Sequence, residues 1–342
     1  MELTYSGAGV DIDKTDAIKG GISGFISTGN PRVLNGLGAF ASLYDIKFDN
    51  IKQPVLVLKA EEPGSKQKLA VEYGYAESVG HDMINHLVND IIVMGATPLA
   101  VLDTIVCGEA DGQIIKSFIK GMAEACEANE CALVGGETSV QPSVVNKGTY
   151  VLTSSVAGIV DRADIIDGSG ISEGDAVLVV ESNGLHTNGY SLVRMLMDKM
   201  PGITGEQVGG GTFIQAVMKP HLAYYKCVKG LFAGKKLKGM AHITGGGIAG
   251  NLSRIMPEGL CARVDLGRIE APEIFGFIKD RGGVSEAEML RTFNCGAGLT
   301  IVVEPGAAGD VIGHVSRYYR CYEAGEIVAG GEKVKLEGSV RF

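Results

Sequence analysis

Between Ser78 and Pro98 the chain reads SVGHDMINHLVNDIIVMGATP. Wound as a helix, this stretch places Asp82, Asn85, His86, Asn89 and Asp90 on one face, at i, i+3, i+4, i+7 and i+8. Most polar faces of this kind are solvated surface. This one carries two acids and no Lys or Arg, and carboxylates two turns apart suit Mg²⁺ shared with a phosphate-bearing ligand. Ile84, Leu87, Val88, Ile91 and Ile92 lie opposite and are expected to seat the helix on a core.

Other segments offer complementary chemistry. YSGAGVDIDKTD (5–16) opens with glycines, whose N–H groups can lie against phosphate, and then presents Asp11, Asp13 and Asp16. In LHTNGYSLVR (185–194), His186, Thr187, Asn188 and Ser191 fall where a strand-to-helix turn aims backbone N–H groups outward, an anion site. The bland alternative is an N-cap made by Thr187 or Asn188. HITGGGIAGNL (242–252) repeats the arrangement, and its glycines allow close backbone approach to a ligand. RTFNCGAG (291–298) adds a cation and an amide, and GGETSVQP (135–142) places Glu137 just after a strand. So many glycine-lined turns in one chain point to a nucleotide and a second phosphorylated ligand.

The elements that position these turns alternate between strand and helix. PVLVLKA (54–60) reads as a buried strand, followed by strands at 99–106, 131–136 and 150–160 and a helical pattern from Gly112 to about Ala128. DGSGISEGD (167–175) is turn-rich and precedes a fresh strand at 176–182, which sets domains at 1–168 and 169–342. In the second half a helix to Met200, a helix from Phe213 to Leu231, and the strands GLCARVDL and LTIVVE are expected. The order is not a regular βαβ repeat, and neither GxGxxG after a strand nor a P-loop occurs, so two lobes of mixed α/β (α+β) packing are expected.

With 342 residues, 45% apolar, 21% charged and a net charge of -9, the composition argues against a nucleic-acid surface. No apolar run reaches the length of a membrane span. MELTYSGAGVDID carries neither a basic leader nor an apolar h-region, and the seven cysteines follow no paired spacing. A cytoplasmic protein with reduced thiols is the expectation.

AGVDI, NDI followed by GATP, LVGGET, IIDGSGISEGD, HTNGYSLVR, HITGGG and RTFNCGAG, in that order, resemble the aminoimidazole ribonucleotide synthetase (phosphoribosylformylglycinamidine cyclo-ligase) family over nearly the whole chain. The resemblance implies an N-terminal ATP-binding domain whose strands pair across a homodimer, and a mixed-sheet C-terminal substrate domain. It implies Mg²⁺ held by Asp11, Glu61, Asp82, Asp90 and Glu137. ATP would be contacted by Gly7, Gly9, Ser65, Lys66, Asn89, Gly135, Gly136 and Thr138, with Lys66 on a phosphate. The substrate cleft would include His186, Thr187, Asn188, Gly189, Tyr190, Ser191, Thr244, Gly245, Gly246, Gly247, Arg291 and Asn294. His186 and His242 are the implied proton carriers, and Asp82 joins them in the catalytic set. The implied reaction is ATP-dependent closure of formylglycinamidine ribonucleotide to 5-aminoimidazole ribonucleotide through an iminophosphate, in purine biosynthesis.

The chain departs from the family after its first core strand. The usual Thr-Asp-Gly-Val-Gly-Thr-Lys is replaced by Ala60, Glu61, Glu62, Pro63, Gly64, Ser65 and Lys66, and the usual Thr-Arg after Pro220 by His221 and Leu222. Two alternatives follow: another phosphoryl-transfer enzyme of the superfamily, such as a thiamine-phosphate kinase, or a weakened homologue acting as a binding partner.

Overall fold

The computed structural model describes residues 12–22, 24–26, 29–36 and 39–342; Gly7, Gly9 and Asp11, singled out above, lie outside them. The chain divides into two units, one ending at Ile159 and the other made of Val160–Phe342 together with Ile92–Ala96.

In the first unit, α1 (Ile12–Ile22) precedes β1 (Pro54–Glu61), α2 (Lys66–Tyr73), α3 (Ala76–Ile92), β2 (Thr97–Cys107), α4 (Gly112–Ala128), β3 (Ala132–Val140) and β4 (Tyr150–Asp161). The strands form a mixed sheet ordered β1-β4-β2-β3, with β2 parallel to β3 and antiparallel to β4. Period-2 alternation gives the sheet two unlike faces. Val101, Ile105, Leu152 and Val156 are buried on the inner face, whereas Leu56, Leu58, Leu102 and Val151 are 55%, 70%, 49% and 40% exposed on the outer one. The strand at 54–60 is therefore half-buried, not buried as its apolar run suggested.

Helix α3 is buried nearly all round. Val79, Met83, Ile84, Leu87, Val88 and Ile91 are buried, but so are Asp82, Asn85, His86 and Asn89 on the supposedly polar face. One reason is α4, which crosses α3 at two glycines. A Cβ built on Gly121 would sit 2.0 Å from the Glu77 carbonyl oxygen, and one on Gly80 would sit 2.4 Å from that of Phe118. That close approach puts Asn129 in reach of Asn85, whose Oδ1 accepts from Asn129 Nδ2 at 2.8 Å. Asp111 caps α4, its carboxylate accepting from the N–H groups of Gln113 and Ile114.

The second unit is built on β5 (Ala176–Glu181), α5 (Tyr190–Lys199), β6 (Leu237–His242), α6 (Gly247–Leu252), β7 (Leu260–Asp265), α7 (Glu273–Gly282), α8 (Glu286–Thr292), β8 (Ala297–Val303), α9 (Pro305–Val315), β9 (Cys321–Ala329) and β10 (Val334–Glu337). Its mixed sheet runs β10-β7-β9-β5-β8-β6, antiparallel except for the β10–β7 pair. Every residue of β8 is buried, as a strand covered on both faces requires. The helix expected over 213–231 is broken instead into Phe213–Val217, Tyr225–Val228 and a 3-10 turn. Pro220 has no N–H to continue it. The unit boundary falls a few residues before the turn-rich 167–175 segment, because Ile166 N–H donates to the Met94 carbonyl and Gly168 abuts Ile255.

Gly121→Ala should lower stability by about 2 kcal/mol through overpacking at the crossing, whereas Gly313→Ala, where a Cβ meets nothing within 4 Å, should not destabilise. Thermal melts of the two variants check this; an unchanged Gly121→Ala melt would mean that the helices are not in contact there.

Candidate functional site

In the first unit the acids gather where β1 ends and α2 begins. Lys59 lies on the inner face of β1, and its Nζ sits 2.9 Å from Glu61 Oε2 and 3.1 Å from Asp90 Oδ2. Partial burial works to lower the Lys59 pKa, but the hydrogen bonds and charges of Glu61 and Asp90 outweigh it and leave the ammonium above its ordinary value. Two carboxylates from β1 and α3 thus close around one positive charge. Lys59 was not singled out from the sequence; its signal is a cation on the inward period of an otherwise apolar strand.

Lys66 and Asp82, assigned above to a phosphate and to a metal ion, hold each other. Their Nζ–Oδ2 distance is 2.7 Å and neither side chain has any solvent exposure. Burial pulls the Lys66 pKa down, and the Asp82 charge and hydrogen bond only partly restore it. In this arrangement Asp82 is the interior ion-pair partner of Lys66. Asn89 is likewise fully buried in α3. Ser65 precedes α2 without capping it by its side chain, Glu62 is exposed, and Pro63 is buried.

Glu137 stands apart. It is exposed on β3, and β1 and β3 are separated by two strands, roughly 14 Å at the usual spacing. Of the four described acids, Glu61 and Asp90 share Lys59, Asp82 pairs with Lys66, and Glu137 lies across the sheet from β1. Strand β3 has its own feature, a cavity of about 690 Å³ lined by Gly135, Gly136, Glu137, Thr138, Asp103 and Ser42 among others. Asp103 is buried against Gly136, and its pKa is pushed up to about 7, chiefly by burial, with Glu137 adding to the rise. An acid in the middle of the apolar run LAVLDTIV was its sequence signal.

In the second unit the three glycine-rich turns converge. The turn after β5 and the turn before β8 meet through Asn294: its Oδ1 accepts from Ser182 Oγ at 2.7 Å and from Gly296 N–H at 2.9 Å, and its Nδ2 donates to the Gly184 carbonyl at 2.9 Å. Gly189 lies against the Phe293 ring, and Gly246 N–H donates to the Arg291 carbonyl. Asn294 is thus a tie between turns, its amide engaged internally. Asn251, overlooked in the sequence, does the same for the glycine loop, donating to the carbonyls of Thr244, Gly245 and Gly247.

Helix α5 begins at Gly189, in the left-handed region at φ 80, with no side-chain cap, so its first N–H groups are left to another acceptor. Neither Thr187 nor Asn188 caps it. Asn188 Nδ2 is buried with no protein hydrogen-bond partner among the described residues. Ser191 and Arg291 are exposed, whereas Tyr190 is buried and donates to the carbonyls of His186 and Val217. His186, at φ 59, stacks on His221 with ring centroids 3.9 Å apart, and His221 Nε2 lies 3.0 Å from His242 Nε2.

Residues 51–160 match the family described as AIR synthase related protein, N-terminal domain, and residues 172–337 match its C-terminal domain. The phosphoribosylformylglycinamidine cyclo-ligase of Methylobacillus flagellatus is 44% identical over 303 residues, which cover 88% of this chain and 87% of that protein. The cyclo-ligase of Sorangium cellulosum is 40% identical over 349 residues, covering 100% of both. Among solved structures, a hydrogenase maturation protein HypE in complex with ATP matches at TM-score 0.64 and 16% identity, over 90% of this chain and 87% of that one, a likeness of fold.

Two predictions follow from the buried charges. Lys66→Met alone should cost about 3–5 kcal/mol by stranding Asp82, and adding Asp82→Leu should recover most of it; urea titrations check this, and a neutral single variant would contradict it. Burial pushes the Asp103 carboxyl up to about 7 from its ordinary 3.8, so it disfavours folding progressively as pH rises from about 4 to about 7. Asp103→Asn should therefore gain melting temperature over the parent at pH 8 more than at pH 5; an equal difference at both would mean that Asp103 is ionised throughout.

Proposed function

The chain belongs to the phosphoribosylformylglycinamidine cyclo-ligase family, with AIR synthase related domains in both halves, and on that premise we propose how its sites divide the reaction. It is an ATP-dependent ligase that closes formylglycinamidine ribonucleotide to 5-aminoimidazole ribonucleotide, releasing ADP and phosphate. The formyl amide oxygen is a poor leaving group; phosphorylation converts it to one, the substrate's own nitrogen attacks the same carbon, and phosphate departs. Ring closure is intramolecular, so the protein's main task is to hold a near-attack geometry, an effect worth up to roughly 7–11 kcal/mol.

The observation that carries the substrate reading is the convergence of the three turns around an uncapped α5. First-turn N–H groups and Ser191 would receive the ribose phosphate. Asn188 Nδ2 supplies a buried donor for the substrate, and the Thr244–Gly247 loop lets its backbone approach closely. His186 and His242 are proposed to move the protons of ring closure.

ATP is assigned to the first unit, with the Gly135–Thr138 segment of β3 and its cavity as a nucleotide pocket of ordinary size. Glu61 and Asp90 fit Mg²⁺: they are oxygen donors that already surround a cationic group, the Lys59 ammonium, and would hold the ion. When bound, Mg²⁺ would neutralise phosphate charge. Asp11 and Glu137 remain proposed contributors to that chemistry. A homodimer formed through the outer face of the four-stranded sheet would cover Leu56, Leu58, Leu102 and Val151. Seven free, buried cysteines support a cytoplasmic setting.

With formylglycinamidine ribonucleotide, ATP and Mg²⁺ the protein should release phosphate and form the aminoimidazole product. Asp90→Asn should cut turnover by about 100-fold or more, while costing at most about 1 kcal/mol of stability because its pairing is partly solvated. Full turnover in Asp90→Asn would remove Asp90 from the metal site, and ADP formed only with thiamine phosphate would move the chain to the kinases.

A further inference from the structure

Three buried histidines from three separate segments meet in the second unit. His186 follows β5, His221 follows Pro220 in the segment between the broken helices, and His242 ends β6 opposite Leu299. They are 1%, 1% and 5% exposed. Burying an imidazole is costly unless its polar atoms are hydrogen-bonded, and a simple packing role would be met equally well by an apolar side chain. His221 Nε2 instead stands 3.0 Å from His242 Nε2, an N–H···N distance. Two ring nitrogens that face each other so closely require one proton between them, with one ring donating and the other accepting.

The segment that presents His221 is itself fixed. Asn183 Nδ2 donates to the Pro220 carbonyl at 2.8 Å, Tyr190 OH donates to the Val217 carbonyl, and Tyr224 OH donates to the Glu181 carbonyl at 2.7 Å. Tyr319 OH adds a bond to the Ala223 carbonyl at 3.1 Å. On its face the His221 ring carries the stacked His186 ring, at an interplanar angle of 20°. Backbone ties and ring stacking together leave the imidazole little freedom to turn away from His242.

A metal ion would use these nitrogens differently. The ligand atoms of the three histidines lie within 4.8 Å of one another, close enough to suggest a divalent site. Ring lone pairs lie in the ring plane, however, and two nearly parallel stacked rings cannot both aim theirs at one ion between them without turning. The geometry therefore favours a shared proton.

We propose that His221 is a positioning residue: its Nε2–H donates to Nε2 of His242, which holds His242 as the Nδ1–H tautomer and makes Nδ1 the nitrogen at which His242 exchanges a proton during ring closure. The inference rests on the cyclo-ligase reading above for its catalytic part and on geometry alone for the hydrogen-bonded pair. An imidazole without this partner would populate both tautomers, and only a fraction of molecules would hold Nδ1 in the required state.

The test has a spectroscopic and a kinetic arm on the full chain. In protein labelled with ¹⁵N at histidine, a coupling across the hydrogen bond should join the Nε2 resonances of His221 and His242, and it should vanish in His221→Phe. His221→Phe, which keeps the stacked ring and the volume, should lower kcat at least tenfold with KM for the ribonucleotide within about twofold. His221→Gln, whose amide can reach His242 Nε2, should recover most of that loss. Absence of the coupling in the parent protein overturns the proposal whatever the variants do. So does full activity in His221→Phe with loss in His221→Gln, the pattern of a packing role, and so does one equivalent of Zn²⁺ bound by the parent and lost in His221→Phe. A coupling present in a protein that does not cyclise the ribonucleotide would sink the reaction assignment, and the catalytic role with it, while the pair itself stands.

Discussion

Lys66 and Asp82 have no contact with solvent, so each needs the other's charge, and their bond joins α2 to α3 inside the first unit. The consequence reaches the chemistry. Asp90 lies two turns along α3 from Asp82, so fixing one fixes the azimuth of the other. The same bond holds the start of α2, directly after Glu61 and the 62–65 turn. Lys59 can then meet both Glu61 and Asp90 from the inner face of β1. A buried pair that looks merely structural thereby sets the separation of two carboxylates at the sheet edge.

The second unit solves a similar problem with neutral groups. Glycine-rich turns are entropically loose and need ties if they are to hold a ligand. Asn294 and Asn251 provide them, each satisfying several backbone groups from different positions in its turn. With the turns fixed, the proposed phosphate site would draw its positive potential from backbone N–H groups. That is consistent with a chain of net charge -9 that still has to receive phosphorylated ligands.

Much of this was legible in the sequence, and the gaps have physical causes. Periodicity located α3, α4, α5 and most strands, because the apolar spacing there matches a single element type. It misjudged how α3 is packed, since a polar stripe reads the same whether it meets water or, as with Asn85 and Asn129, a neighbouring helix brought close by glycines. Motif resemblance indicated the turns of the second unit but not the division of labour within them. Whether Asn294 faces a ligand or ties two loops depends on partners more than a hundred residues away. Glu61 and Asp90 stand out in the sequence as acids, while the lysine between them and the distance to Glu137 follow from strand order, which a linear reading does not contain.

Glu61 and Asp90 are proposed as the cation-binding half of a nucleotide site. Calorimetric titration of the intact protein with ATP, with and without Mg²⁺, tests it most directly when repeated on Glu61→Gln. The account predicts ATP binding that depends on Mg²⁺ in the parent and weakens at least tenfold in Glu61→Gln, about 1.4 kcal/mol or more. Equal affinity in the two proteins, or binding indifferent to Mg²⁺, would contradict it.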